Sequence, residues 1–177
     1  MSKPRLKILL CLCISMILLS LCFSSCSLEG SKAIFNNDEQ KADKRMEELV
    51  ETLKNKDKDA LKAMFSKQAF DESHDFESSM EYLFDFFGEN VTSWNRDRFS
   101  GSTSSDYGKE SVMLRSWYTV TIDQDTYLFF VIDYIKDTIN PDNEGLYTLR
   151  VIKKEEESSQ FESWQKMQIA GIYVPEE

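Results

Sequence analysis

The chain has 177 residues, with 21 Lys and Arg against 31 Asp and Glu, a formal net charge of −10 at pH 7. That acidity argues against nucleic acid as a partner and against electrostatic adhesion to an anionic membrane. A single histidine, and cysteines confined to the first 26 residues, exclude zinc hydrolysis and Cys–His nucleophilic chemistry.

Residues 1–25 read as an export signal. Lys3, Arg5 and Lys7 make a basic start, Ile8 to Phe23 an apolar run, and Ser24 and Ser25 lead into Cys26. This order matches a bacterial lipobox, in which the cysteine is acylated and becomes the new N-terminus. The apolar run is shorter than the ~20 residues that a spanning helix needs. The expectation is therefore removal of 1–25, lipidation at Cys26, and a protein tethered on the extracytoplasmic face of the cell membrane. Cys11, Cys13 and Cys22 leave with the signal, so no disulfide and no thiolate metal site remain. Loss of three basic residues takes the net charge to −13.

Residues 26–37 lack a periodic apolar pattern and read as a lipidated, flexible tether. A single domain is expected over 38–177. Ala42, Met46, Leu49, Val50 and Leu53 share one helical face. Asp57 is placed to cap a second, shorter helix carrying Ala60, Leu61, Met64 and Phe65. A third follows with Phe76, Met80, Leu83, Phe84 and Phe87, and Gly88 suits its C-terminus. The period then changes from 3.6 to 2. Strands are expected over Val91–Phe99, Ser111–Ile122, Thr126–Lys136, Leu146–Lys153 and Trp164–Val174. Ser100–Gly108, Asp123–Asp125 and Asn140–Gly145 read as turns, and Lys153–Ser163 as a polar loop. The class this predicts is α+β, with three N-terminal helices packed on a curved antiparallel sheet of about five strands.

Few residues invite chemistry. His74 lies in an acidic stretch before a helix and reads as a capping-region side chain. Asp137, Asn140, Asp142, Asn143 and Glu144 crowd one loop, but without the spacing of a known calcium site; Pro, Asx and Gly in a hairpin turn account for them. No metal and no cofactor are expected. Asn90-Val91-Thr92 is a sequon in form only. The sharper candidates are in the strands. Asp133 and Tyr134 interrupt a very apolar strand, with Arg115 and Trp117 alternating on the strand before it. Asp133 in an apolar cavity would have a raised pKa, suited to proton transfer or to binding a polar ligand group. Paired with Arg115 or a lysine near the sheet's end, it is simply structural.

Four segments resemble a family of Gram-positive bacterial lipoproteins, domain-of-unknown-function family 5104. They are NKDKDALKAMFS at 55–66, SWYTV at 116–120, YLFFVIDYIKDTINPDNEGLYTLRVIK at 127–153 and IAGIYVP at 169–175. The helix-then-strand order also resembles the nuclear-transport-factor-2-like (cystatin-like) fold, a cone of curved sheet around a long helix. The resemblance implies that fold and a lipoprotein topology, and it carries no catalytic role. Two functions stay open. The first is a non-enzymatic module binding a small ligand, peptide or protein, with Arg115, Trp117 and Asp133 as ligand-binding candidates. The second is an isomerase- or hydratase-like enzyme using Asp133 with Tyr134 or Tyr118. A homodimer through Trp117, Thr119 and Thr121 on the sheet's exposed face is a further expectation.

Overall fold

The computed structural model describes residues 28–87, 91–161, 163 and 167–174. The expected signal segment, Cys26, Gly88, Asn90 and Trp164 lie outside the described residues. The chain divides into two units, Met1–Asn37 and Asp38–Glu177, and the second holds the sheet and its core.

Helix α1 (Leu28–Lys54) starts well before the apolar spacing does, so the backbone is helical from Leu28 where the sequence suggested a loose tether. Residues 28–41 contain no proline and several good helix formers, enough to carry the helix back from its packed half. From Ala42 on, the apolar positions are buried as spaced: Met46, Leu49 and Leu53 are at most 1% exposed. Helix α2 (Lys58–Met64) begins where expected, with the Asp57 carboxylate accepting from the Ala60 N–H at 2.9 Å. A helix the sequence did not reveal, α3 (Lys67–Glu72), follows. Ser66 caps it by accepting from the Ala69 N–H, and six residues are too few to show a period. Helix α4 (Phe76–Phe87) turns its aromatic stripe into the core: Phe76 meets Phe65 edge-on at 4.9 Å, and Phe87 meets Phe129 at 5.8 Å.

Five strands form one sheet in the order β1-β2-β3-β4-β5: β1 (Val91–Asp106), β2 (Lys109–Ile122), β3 (Asp125–Asp137), β4 (Gly145–Lys153) and β5 (Gly171–Tyr173). The first four pair antiparallel. β5 runs parallel to β4, so the sheet is mixed rather than wholly antiparallel. The physical reason is the crossover. After β4 a 3-10 turn (Lys154–Glu156) and helix α5 (Glu157–Gln160) carry the chain over the face opposite α1–α4, and it returns in β4's own direction. Thr148 Oγ1 pins the return by donating to the Ile169 carbonyl at 2.7 Å.

The Ser/Gly stretch read as a turn is strand through Asp106, and the turn proper is Tyr107-Gly108, both at positive φ. Pairing with β2 overrides the weak strand preference of Ser and Gly. Four register shifts, at Val91/Ser93, Arg96/Arg98, Val112/Met113 and Ile132/Asp133, bend and twist the sheet. β3 is covered on both sides, with Leu128, Phe129, Phe130 and Ile132 all at 0% exposure. Where β4 begins, Gly145 has φ +117°, and a Cβ there would sit 2.9 Å from the Met64 carbonyl oxygen. That close approach lets the Ser66 N–H donate to the Leu146 carbonyl at 2.9 Å and joins the helices to the sheet.

Candidate functional site

The strand candidates separate onto the two faces of the sheet. On the helix side, Asp133 is 3% exposed. Its partner is neither Arg115 nor a lysine but Arg45 of α1, whose Nε donates to Oδ2 at 2.9 Å. The other oxygen, Oδ1, is buried with no hydrogen-bond partner among the described residues. Burial pushes the carboxyl above its ordinary value, and Arg45 only partly offsets that. A shallow depression of about 180 Å³, bordered by Lys41, Lys44, Arg45 and Glu48, opens beside it. Tyr118 is buried in the same core and its hydroxyl reaches Asp43 at 3.3 Å. Burial, with the Asp43 charge adding to it, pushes the phenol well above its usual range. Tyr134 packs edge-on against Tyr147 at 6.2 Å. Each of the three proposed catalytic side chains thus has its own neighbour.

The outer face carries a different set. Trp117 lies tilted on Phe130 with ring centroids 4.8 Å apart, and Phe161 from the crossover meets Phe130 at 5.5 Å. The Arg98 guanidinium sits 4.9 Å above the Trp117 ring. Arg150 sits 4.5 Å from the Tyr173 ring and 5.0 Å from Phe161. Arg115 donates to Ser100 Oγ at 3.1 Å. Between Arg98, Trp117, Lys154, Glu157, Phe161 and Met167 is an open hollow of about 460 Å³. Glu157 bridges its cations, pairing with Arg98 and with Lys154 at 3.0 Å. Lys154 also contacts Asp97 at 2.6 Å. Burial alone would lower the Lys154 pKa, but the two carboxylates outweigh it and hold the ammonium above its ordinary value. Trp117 Nε1 is buried without a hydrogen-bond partner among the described residues.

Trp117 was legible as a candidate; Arg98, Lys154 and Phe161 were not. They come from an edge strand and a polar loop far apart in the chain, Arg98 on one and Lys154 and Phe161 on the other, and only folding brings them together. The acidic loop after β3 serves itself. Buried Asp137 accepts from the Ile139 and Asn140 N–H groups at 3.0 and 2.8 Å, from Asn143 Nδ2 at 3.1 Å and from Ser111 Oγ at 2.9 Å. These donors outweigh burial and leave its pKa below the ordinary value. Among the described residues no three His, Cys, Asp or Glu side chains are grouped to hold a metal. His74 is exposed between α3 and α4.

Helices ahead of a mixed five-stranded sheet, a packed aromatic core and charged hollows on both faces define the class: an α+β domain. The profile of the family described as Domain of unknown function (DUF5104) matches residues 48–154, and the chain belongs to that family. The match takes in Arg98, Trp117, Asp133 and Lys154 and stops short of Glu157, Phe161 and the C-terminal IAGIYVP segment. No curated protein matches the sequence. No helix among the described residues is long and apolar enough to cross a membrane.

Proposed function

We propose that the protein is an extracytoplasmic lipoprotein held at the cell membrane by an acylated Cys26, and that its domain is a nuclear-transport-factor-2-like cone acting as a non-enzymatic binding module. The long α1 ahead of the strands and the four register shifts support the cone. The net charge of −13 after loss of residues 1–25 suits a body held off an anionic bilayer by its tether.

The observation that carries the binding reading is how space is shared between the two faces. On the helix side Phe87, Tyr118 and Phe129 are at most 1% exposed and fill the interior. The outer hollow stays open, with cations beside an indole and a phenyl ring. That set suits a ligand or peptide side chain with a flat apolar body and an acidic group. An enzyme built on Asp133 has less support, because Arg45 holds one carboxylate oxygen and Tyr118 is turned to Asp43.

The test is saturation-transfer NMR of the full chain with N-acetylphenylalanine, which joins a phenyl ring to a carboxylate. Saturable transfer, weakened about tenfold in both Arg98→Ala and Phe161→Ala, is the expected result. Transfer that is absent, or unchanged in both variants, removes the hollow as the site. The anchor is read separately, as diacylglyceryl mass on Cys26 at the native N-terminus and release of a Cys26→Ala variant from the membrane fraction.

A further inference from the structure

The two edges of the sheet are defended unequally. β5 is three residues long, which blunts that edge. The first half of β1 is broken by register shifts at Val91/Ser93 and Arg96/Arg98 and carries Arg96, Asp97 and Arg98. From Phe99 to Asp106 the register is unbroken, and Ser102 to Asp106 are exposed. The stretch Ser100 to Ser105 is Ser, Gly and Thr only, with neither a charge nor a proline. Among the described residues no strand lies on β1's outer side.

The two-residue turn fixes which backbone groups point outward. Asp106 and Lys109 flank Tyr107-Gly108 and face each other across β1 and β2. The Thr138 N–H donates to the Glu110 carbonyl at 2.8 Å, so Glu110 faces away from β1, and so does its partner Ser105. By the two-residue period of an antiparallel ladder, Thr103 and Gly101 also present their N–H and C=O groups outward, while Ser102 and Ser104 bond to β2.

The geometry points to homodimerisation by strand addition: β1 of one protomer pairs antiparallel with β1 of a second copy, centred on Ser102. The charge pattern selects this occupant and this register. Arg98 and Asp106 lie four residues either side of Ser102, so a two-fold axis there sets each Arg98, a half-exposed side chain that meets Glu157 in its own chain, opposite the other copy's Asp106. Gly101 faces Thr103 across the axis, and both have outward backbone groups to exchange. Small side chains between the charged ends let the strands approach without a clash. The pairing shares Arg98 with the hollow, where it meets Glu157 and Trp117, but the backbone exchange at Gly101 and Thr103 draws on no residue of the hollow. It also spares Trp117 and Thr119, which are engaged within the fold by Phe130 and Asp97.

Three measurements on the full chain in detergent test it. Sedimentation should give a dimer for the natural protein. Thr103→Pro removes an outward N–H and no β1–β2 bond, and should weaken the dimer at least 100-fold with an unchanged circular dichroism spectrum. Ser102→Cys should yield a disulfide-linked 102–102 peptide by mass spectrometry under mild oxidation, since non-hydrogen-bonded partners have Cα atoms about 4.5 Å apart. Ser104→Cys should not, because its twin would lie about 13 Å away along the strand. A natural chain that sediments as a monomer, undiminished association in Thr103→Pro, or cross-linking at 104 instead of 102 overturns the proposal.

Discussion

Asp133 and Asp137 end up buried at opposite ends of the same stretch of strand, and their surroundings treat them differently. Asp137 has four donors and is stabilised as a carboxylate. Asp133 has one donor, Arg45 Nε, and a second oxygen with no partner among the described residues, and burial favours its protonated form. Because its pKa is raised on folding, the native state binds the proton more tightly than the unfolded chain does. Its contribution to stability is therefore gained as the pH falls through the raised value and is complete below the ordinary 3.8. Asp133→Asn removes that titration. At neutral pH the variant should lie within about 1 kcal/mol of the natural protein or above it. On acidification the natural protein should gain on it. Urea unfolding of both across pH checks this; a difference that does not move with pH would show that Asp133 is not protonated more readily in the fold.

At the scale of the element, the β1–β2 hairpin is the clearest case of structure overruling composition. Its turn places Tyr107 at φ 45°, fully exposed, where asparagine or glycine is favoured. Tyr107→Asn should raise stability by about 0.5 kcal/mol without altering the fold, read as a higher urea midpoint at unchanged slope. The helices behave as their spacing says, since apolar residues at i, i+3 and i+4 have only one face to bury. The short α3 escaped notice because its determinants are a single cap, Ser66, and contacts with residues distant in sequence. The crossover was equally illegible. Lys154 to Gln160 reads as a polar loop, and only its approach to Arg98 and Phe130 gives it a place.

Over the whole molecule, stability rests on the layer between α1–α4 and the sheet, since no disulfide can join the cysteines to the domain core. Phe129 sits in that layer at 0% exposure against Phe87. Phe129→Ala should cost about 3–5 kcal/mol, a large share of the ~5–15 kcal/mol typical of a domain. The expected readout is a chain largely unfolded on modest heating by circular dichroism. A loss under about 1 kcal/mol would mean the core closes around the gap.

The sequence by itself determined the α+β class, the faces of three helices, most of four strands and the Asp57 cap, because each depends on periodicity or on neighbours a few residues away. Tertiary structure alone decided that β5 returns parallel, that Asp133 meets Arg45 rather than Arg115, and that Trp117 shares a hollow with Arg98, Lys154 and Phe161. Those outcomes join residues from separate elements, and no local pattern encodes which charge will lie across from which once the sheet is bent and the crossover laid over it.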